Sequence, residues 1–182
     1  MKIIVAVTGA SGTIYARQCI EKLLKCRDVE HIALIVSRCG EEVARHEGID
    51  FPCDPRIVRY SVDDMFAPTA SGSARYDAMI IIPASMGTVG RIASGVSLSL
   101  IERSADVMLK ERRRLICVVR ETPYSLIHLR NMTTLTEAGA IILPASPSFY
   151  SHPHDIEELA KTVTERVLAH AGINLPHYEW GE

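Results

Sequence analysis

Two stretches of this chain are best suited to holding a ligand: Thr8-Gly9-Ala10-Ser11-Gly12 and Pro83-Ala84-Ser85-Met86-Gly87-Thr88. Each follows an apolar run and leads into a helical pattern. In the first, Gly9 and Gly12 allow close backbone approach, Ser11 offers a hydroxyl, and the helix N-terminus that follows favours an anion. The second supplies two hydroxyls and several backbone N–H groups, suited to a phosphate or the edge of a planar ring. Ser85 could equally be an ordinary helix N-cap. Arg120-Glu121-Thr122-Pro123 places an ion pair where burial is costly unless both charges are engaged, by a ligand or by a subunit contact. Pro144-Ala145-Ser146-Pro147-Ser148-Phe149-Tyr150, with His152-Pro153 next, reads as a lid carrying Tyr150 or as a rigid bend. The basic run Lys110 to Arg114, broken by Glu111, is either a solvated helix end or an anion site.

These turns need elements to position them. Ile3–Val7, Ile32–Val36, Ala78–Ile82, Leu115–Val119 and Ala140–Leu143 are apolar runs of the kind expected for strands buried on both faces. Helical patterns lie between and after them, over Ile14–Leu24, Glu41–Glu47, Leu98–Leu109, Leu126–Leu135 and Ile156–Ala171. That alternation predicts an α/β fold: a doubly wound, mostly parallel sheet with helices on both faces, Rossmann/flavodoxin-like. In such sheets ligands bind at the carboxyl ends of strands, which is where all four turns fall. Residues 48–76 carry Pro52, Pro55, Pro68 and Gly72, and read as a long loop with one helical piece near Asp63–Phe66.

At 182 residues and 47% apolar composition the chain suits one core, so a single domain over 1–182 is expected, with a short tail from about residue 172. A net charge of -2 leaves no electrostatic footprint for nucleic acid or anionic lipid. No apolar stretch approaches the roughly 18 residues that span a bilayer. Met1–Val7 is too short for a signal h-region and runs into a glycine turn instead of a cleavage site. Five cysteines without CxxC or metal spacing suit a reducing compartment, so a cytoplasmic location is expected. A dinucleotide dehydrogenase fits poorly. Tyr15 stands at the third glycine position, no YxxxK pair occurs, and the second strand ends in Ser37-Arg38 instead of an acidic ribose ligand.

Taken together, TGASG at 8–12, TASGS at 69–73, PASMGT at 83–88, IERSADVMLKERR at 101–113, VVRETPYSLIHLRNM at 118–132 and PASPSFYSHP at 144–153 resemble a known family in order and spacing. The chain looks like a UbiX-type flavin prenyltransferase over nearly its whole length. The resemblance implies that reduced FMN is joined to the dimethylallyl group of dimethylallyl monophosphate, giving prenylated FMN for a partner decarboxylase. It implies FMN contacts at Gly9, Ala10, Ser11, Ser37, Ser85, Met86, Gly87, Thr88 and Arg120. It puts the prenyl phosphate near Glu47, Arg103, Lys110, Arg120, Tyr150 and Arg166, some supplied by neighbouring subunits of a homo-oligomer. Ser11, Glu47, Lys110 and Glu121 are the expected catalytic set, with Ser11 and Glu121 handling protons.

The chemistry supports that division. Breaking an allylic C–O bond leaves a phosphate dianion and a cation-like fragment. Arg103, Lys110 and Arg120 would hold the anion by charge-assisted hydrogen bonds, with Tyr150 adding a hydroxyl. Arg103 and Lys110 are two helical turns apart and share a face. The cation would be trapped by water, so the pocket must be dry. Ring closure at C6 must lose a proton, for which Glu121 acting through Ser11 is the expected base. No metal is required. His128, His152 and Asp106 are expected to be structural, and Trp180 in the tail either closes a neighbouring pocket or anchors the tail.

Two positions depart from the family pattern. Met65-Phe66 precede Ala67-Pro68 where many relatives carry Trp, and Ser99 stands where relatives often have Asn. Both bear on the shape of the prenyl pocket. The nearest rival is a flavin-dependent cysteine decarboxylase, which shares a PASANT-like motif. It would need a catalytic His before the third strand and a PxMN-type clamp. Residues 52–76 contain no His, and the clamp region reads Arg120-Glu121-Thr122-Pro123. A non-catalytic FMN carrier subunit would keep the flavin contacts without needing Glu47, Lys110 and Glu121, all of which are present.

Overall fold

Apolar runs without polar interruption form strands here because both faces of the sheet are covered by helices. The structure is a computed structural model that describes residues 1–174. Strands β1 (Lys2–Val7), β2 (His31–Val36), β3 (Ile57–Tyr60), β4 (Ala78–Ala84), β5 (Arg114–Val119) and β6 (Ile141–Pro144) form one sheet in the order β3-β2-β1-β4-β5-β6. All five pairings are parallel. The order reverses direction between β1 and β4, which opens a crevice there at the carboxyl edge.

Among the described residues five α-helices lie between strands, α1 (Thr13–Lys25), α2 (Arg38–Glu47), α3 (Met86–Ala93), α4 (Leu100–Lys110) and α5 (Leu126–Glu137), and α6 (Ile156–Ala171) follows β6. Side chains alternate along each strand, so the sheet has two cores. One face packs Ile3, Val5, Ile80 and Val118 against Ile20 and Leu23 of α1 and Val167 and Leu168 of α6. The other packs Ile4, Ile81 and Cys117 against Val89 of α3, Leu100 and Met108 of α4 and Leu135 of α5.

The long-loop expectation for residues 48–76 needs correcting. Ile57–Tyr60 is a sixth strand, paired with Ile32–Ile35 at the edge of the sheet. Its four residues are too few to show a period, and its charged Arg59 is typical of an edge left open to solvent. Asp63–Phe66 forms turns instead of a helix, and short 3-10 turns follow at Pro68–Ala70 and Gly72–Ala74. Helix α2 starts at Arg38, earlier than expected, because Ser37 caps it through the Gly40 N–H. Helix α4 starts at Leu100, where Ser99 and Glu102 form a capping box.

Cys19, Cys26 and Cys117 are buried, whereas Cys39 and Cys53 are exposed, and all five are free thiols. Burial pushes the Cys19 and Cys117 thiols up to about 12. Among the described residues no helix is long and apolar enough to cross a membrane, and no group of three metal-ligating side chains occurs. Trp180 and most of the expected tail lie outside the described residues.

Candidate functional site

Four turns converge on the carboxyl edge of the sheet because backbone hydrogen bonds tie each to its neighbour. Ser37 donates its N–H to Val7, Thr8 to Pro83, Arg120 to Ala84, and Ala145 to Val119. The tightest tie is a side chain. The buried Thr8 hydroxyl donates to the Pro83 carbonyl at 2.7 Å and accepts from the Ser85 N–H at 2.8 Å. One hydroxyl thus fixes the distance between the two ligand-suited turns, across the crevice between β1 and β4.

The first turn is shaped by steric demands on its glycines. A Cβ on Gly9 would lie 2.5 Å from Cys39 Cβ, so α2 can approach only a glycine. Gly12 sits at φ 102°, a left-handed conformation that favours glycine. The N-terminus of α1 that follows is already occupied by a side chain of this chain. Glu47, from the end of α2, accepts the Gly12 N–H at 2.8 Å, the Thr13 N–H at 2.8 Å and the Thr13 hydroxyl at 2.6 Å. Burial by itself would raise the Glu47 pKa. The Thr13 and Ser11 hydroxyls and the two N–H groups outweigh it, and hold the carboxyl below its ordinary value. Ser11 is therefore neighbour to Glu47. The expected pairing of Ser11 with Glu121 is not made: Glu121 Oε1 accepts the Thr122 N–H at 3.0 Å within its own turn.

In the second turn Ser85 is the N-cap of α3. Its side chain caps α3 by accepting the Thr88 N–H, and its hydroxyl also meets the Thr88 hydroxyl at 3.1 Å. Met86 and Thr88 are buried beneath it. Arg120 is exposed at the end of β5 and lies near Tyr15 of α1. Burial raises the Tyr15 phenol, and the Arg120 charge pulls it partly back. Gly9, Ala10, Ser11, Ser37, Ser85, Met86, Gly87, Thr88 and Arg120 thus occupy one edge of one sheet, with Glu47 behind them and Glu121 beside them.

The remaining expected residues do not join them within one chain. Arg103 donates to Asp106 at 2.7 Å and to the Ala70 carbonyl at 3.1 Å. Lys110 pairs with Glu111 at the far end of α4, just before β5 begins. Six residues of β5 at about 3.3 Å each separate Lys110 from Arg120 by roughly 20 Å. That is beyond the reach of a lysine side chain. Tyr150 and Phe149 are exposed in the segment after β6, beside Pro147, Ser148 and His152. Arg166 is exposed on α6, ten residues past its first residue and beside His170. Asp106 accepts from Arg103, and His128 Nδ1 accepts the Ser125 N–H and completes the cap of α5.

Four residues that matter to this geometry escaped notice in the sequence. Thr8 was visible only as part of a turn, and Tyr15 only as a missing glycine. Arg91 and its partner Glu102 gave no signal beyond a helical i, i+3 relation between Thr88 and Arg91.

The same architecture recurs in known proteins. The family model described as Flavoprotein matches residues 1–168. The flavin prenyltransferase UbiX of Methanocaldococcus jannaschii is 42% identical, covering 100% of this chain and 99% of the relative. Flavin prenyltransferase LpdB of Lactiplantibacillus plantarum is 42% identical over 92% of this chain and 90% of its own. Among solved structures, AnUbiX in complex with FMN and dimethylallyl pyrophosphate superposes with a TM-score of 0.91 at 39% identity, covering 100% of this chain and 98% of that one. A dodecameric FMN-dependent UbiX-like decarboxylase from Escherichia coli superposes at 0.92, with 35% identity and full coverage of both chains. EpiD of Staphylococcus aureus, at 19% identity and a TM-score of 0.57 over 81% of this chain and 85% of its own, shares the fold alone. The chain belongs to the Flavoprotein family, within its UbiX-type flavin prenyltransferases.

Proposed function

We propose that the protein is a flavin prenyltransferase that joins a dimethylallyl group to reduced FMN. The carrying observation is the clamp at the switch point: the Thr8 hydroxyl holds the Gly9–Gly12 and Ser85–Thr88 turns together at the carboxyl edge. These turns fit FMN. Gly9 and Ala10 leave the backbone bare, Ser11, Ser37, Ser85 and Thr88 supply hydroxyls, and Arg120 adds a charge. When bound, reduced FMN supplies N5 and C6 as the positions that accept the prenyl group. Glu47 is a positioning residue, since its carboxylate pins the Gly12–Thr13 backbone and lies beside the Ser11 hydroxyl. Glu121 is the proton acceptor, with Oε2 unpartnered among the described residues while Oε1 takes its own turn's N–H. Arg120 with Tyr150, Arg103, Lys110 and Arg166 holds the leaving phosphate.

Because Lys110 lies roughly a strand's length from Arg120, the complete site needs a second copy of the chain, and a homo-oligomer follows. Exposed apolar side chains support this. Phe66, Leu98, Leu126, Ile127, Phe149 and Ile156 all lie in segments at the carboxyl edge and are more than 60% exposed. The donor is an ester of dimethylallyl alcohol with phosphate, the monophosphate by resemblance, and the product serves a decarboxylase that uses prenylated FMN. Anaerobic incubation with reduced FMN and either dimethylallyl monophosphate or pyrophosphate, followed by mass spectrometry of the flavin, tests the reading. A flavin heavier by one dimethylallyl unit is expected. Bound but unmodified FMN with both donors would refute prenyl transfer, and unchanged turnover in Glu121→Gln would remove Glu121 from the proton step.

A further inference from the structure

The Arg91 guanidinium leans over the N-terminal turn of α3. Helical side chains tilt toward the N-terminus, so a residue three or four positions in lies over the first turn. Arg91 Nη2 donates to the Thr88 hydroxyl at 3.2 Å. A Cβ on Gly87 would lie 3.4 Å from Arg91 Nη1, which has no partner among the described residues. The group is held from behind by Glu102, which accepts from Arg91 Nε at Oε1. Glu102 is 3% exposed, and its Oε2 accepts the Leu98 and Ser99 N–H groups at 2.9 and 2.8 Å. The Arg91 side chain itself is 44% exposed.

A buried carboxylate is costly unless its partners repay the lost hydration. Here a fully engaged Glu102 spends its remaining oxygen on fixing one face of a guanidinium whose other edge is open. That edge lies beside Gly87 and Thr88, where N–H groups at the start of α3 already favour negative charge. Helix α3 carries no acidic residue in its first turn to neutralise it. We propose that Arg91, positioned by Glu102, makes the Ser85–Thr88 turn a seat for an anionic group of the flavin. This rests on the flavin reading above. Two groups of FMN carry such charge: its phosphate, and the N1–C2=O edge of the reduced ring.

Flavin fluorescence titration of Arg91→Met, Arg91→Lys and the wild type tests this, using oxidised FMN and oxidised riboflavin, with reduced forms followed by absorbance. If the phosphate sits there, Arg91→Met loosens FMN roughly tenfold or more while riboflavin is unaffected, and Arg91→Lys recovers part of the loss. If the ring edge sits there, Arg91→Met loosens both flavins in the reduced state more than in the oxidised state, and lowers the midpoint potential of the bound flavin. Equal binding of all forms by variant and wild type overturns the inference, as does an equal loss for oxidised FMN and oxidised riboflavin. A wild type that binds no FMN would overturn the flavin reading itself. Should Arg91→Met fold poorly with Glu102 left buried, the double variant Arg91→Met/Glu102→Gln removes both charges, keeps the cap and is read by the same titrations.

Discussion

At the residue scale, Glu47 shows how one side chain can convert a generic motif into a particular site. A helix N-terminus after a glycine turn invites an external anion, but here the carboxylate of Glu47 takes the Gly12 and Thr13 N–H groups first. Whatever binds the turn must therefore use its outer side, at Gly9, Ala10 and Ser11. Because the folded carboxyl is held below its ordinary value of 4.5, Glu47 stabilises the fold above that pH, and the contribution is lost as pH falls through the depressed value. Glu47→Gln should accordingly unfold more easily than wild type near neutrality and converge with it in acid, as followed by thermal melts across pH. A constant gap at every pH would show that its charge is unimportant. Tyr15 makes a second residue-scale case: its ring shields Gly12 and lies near the Arg120 charge, so Tyr15→Ala should free Arg120 and weaken flavin binding more than Tyr15→Phe does.

At the element scale, the clamp between β1 and β4 depends on a hydroxyl, and no apolar side chain of the same shape can replace it. Thr8→Val preserves volume, leaves the Ser85 N–H without its acceptor, and should cost about 1–3 kcal/mol of stability. It should also loosen flavin binding, since the two turns lose their common anchor, and denaturant melts with flavin titration measure both. Melts and titrations equal to wild type would show that backbone bonding alone sets the spacing. The capping box of α4 works similarly, because Glu102 caps the start of one helix and braces a residue of another. The sixth strand, Ile57–Tyr60, extends the sheet past β2, and its Arg59 pairs with Glu41 of α2.

At the scale of the whole molecule, the residues proposed for the prenyl phosphate lie at both ends of one chain's sheet. Arg120 stands at the carboxyl edge and Lys110 at the amino edge, so the proposed site needs an assembly to bring them together. Lys110→Ala and Arg120→Ala should each be nearly inactive alone. Mixed by denaturation and refolding, they should recover about a quarter of wild-type activity, because random assembly pairs an intact Arg120 with an intact neighbouring Lys110 that often. No recovery, with mixed assemblies confirmed by mass, would place both residues in one chain's site or remove one from it. Light scattering should find an oligomer that covers Phe66, Leu98, Ile127 and Phe149, and an active monomer would contradict the shared site.

The sequence by itself determined the parallel α/β layout and the positions of the ligand turns. Buried parallel strands must be continuous apolar runs, and ligand turns must follow them. Candidate flavin and prenyl phosphate residues came from the resemblance of its motifs to a known family. The sequence was silent on β3, where four residues at an edge leave no period to read. Only the tertiary structure decided which hydroxyl faces which carboxylate, turning Ser11 from Glu121 toward Glu47 and setting Arg91 over Thr88. It alone separated Lys110 from Arg120 to opposite edges of the sheet. Such pairings join residues distant along the chain, and their distances follow from how strands and helices pack, which local spacing does not encode.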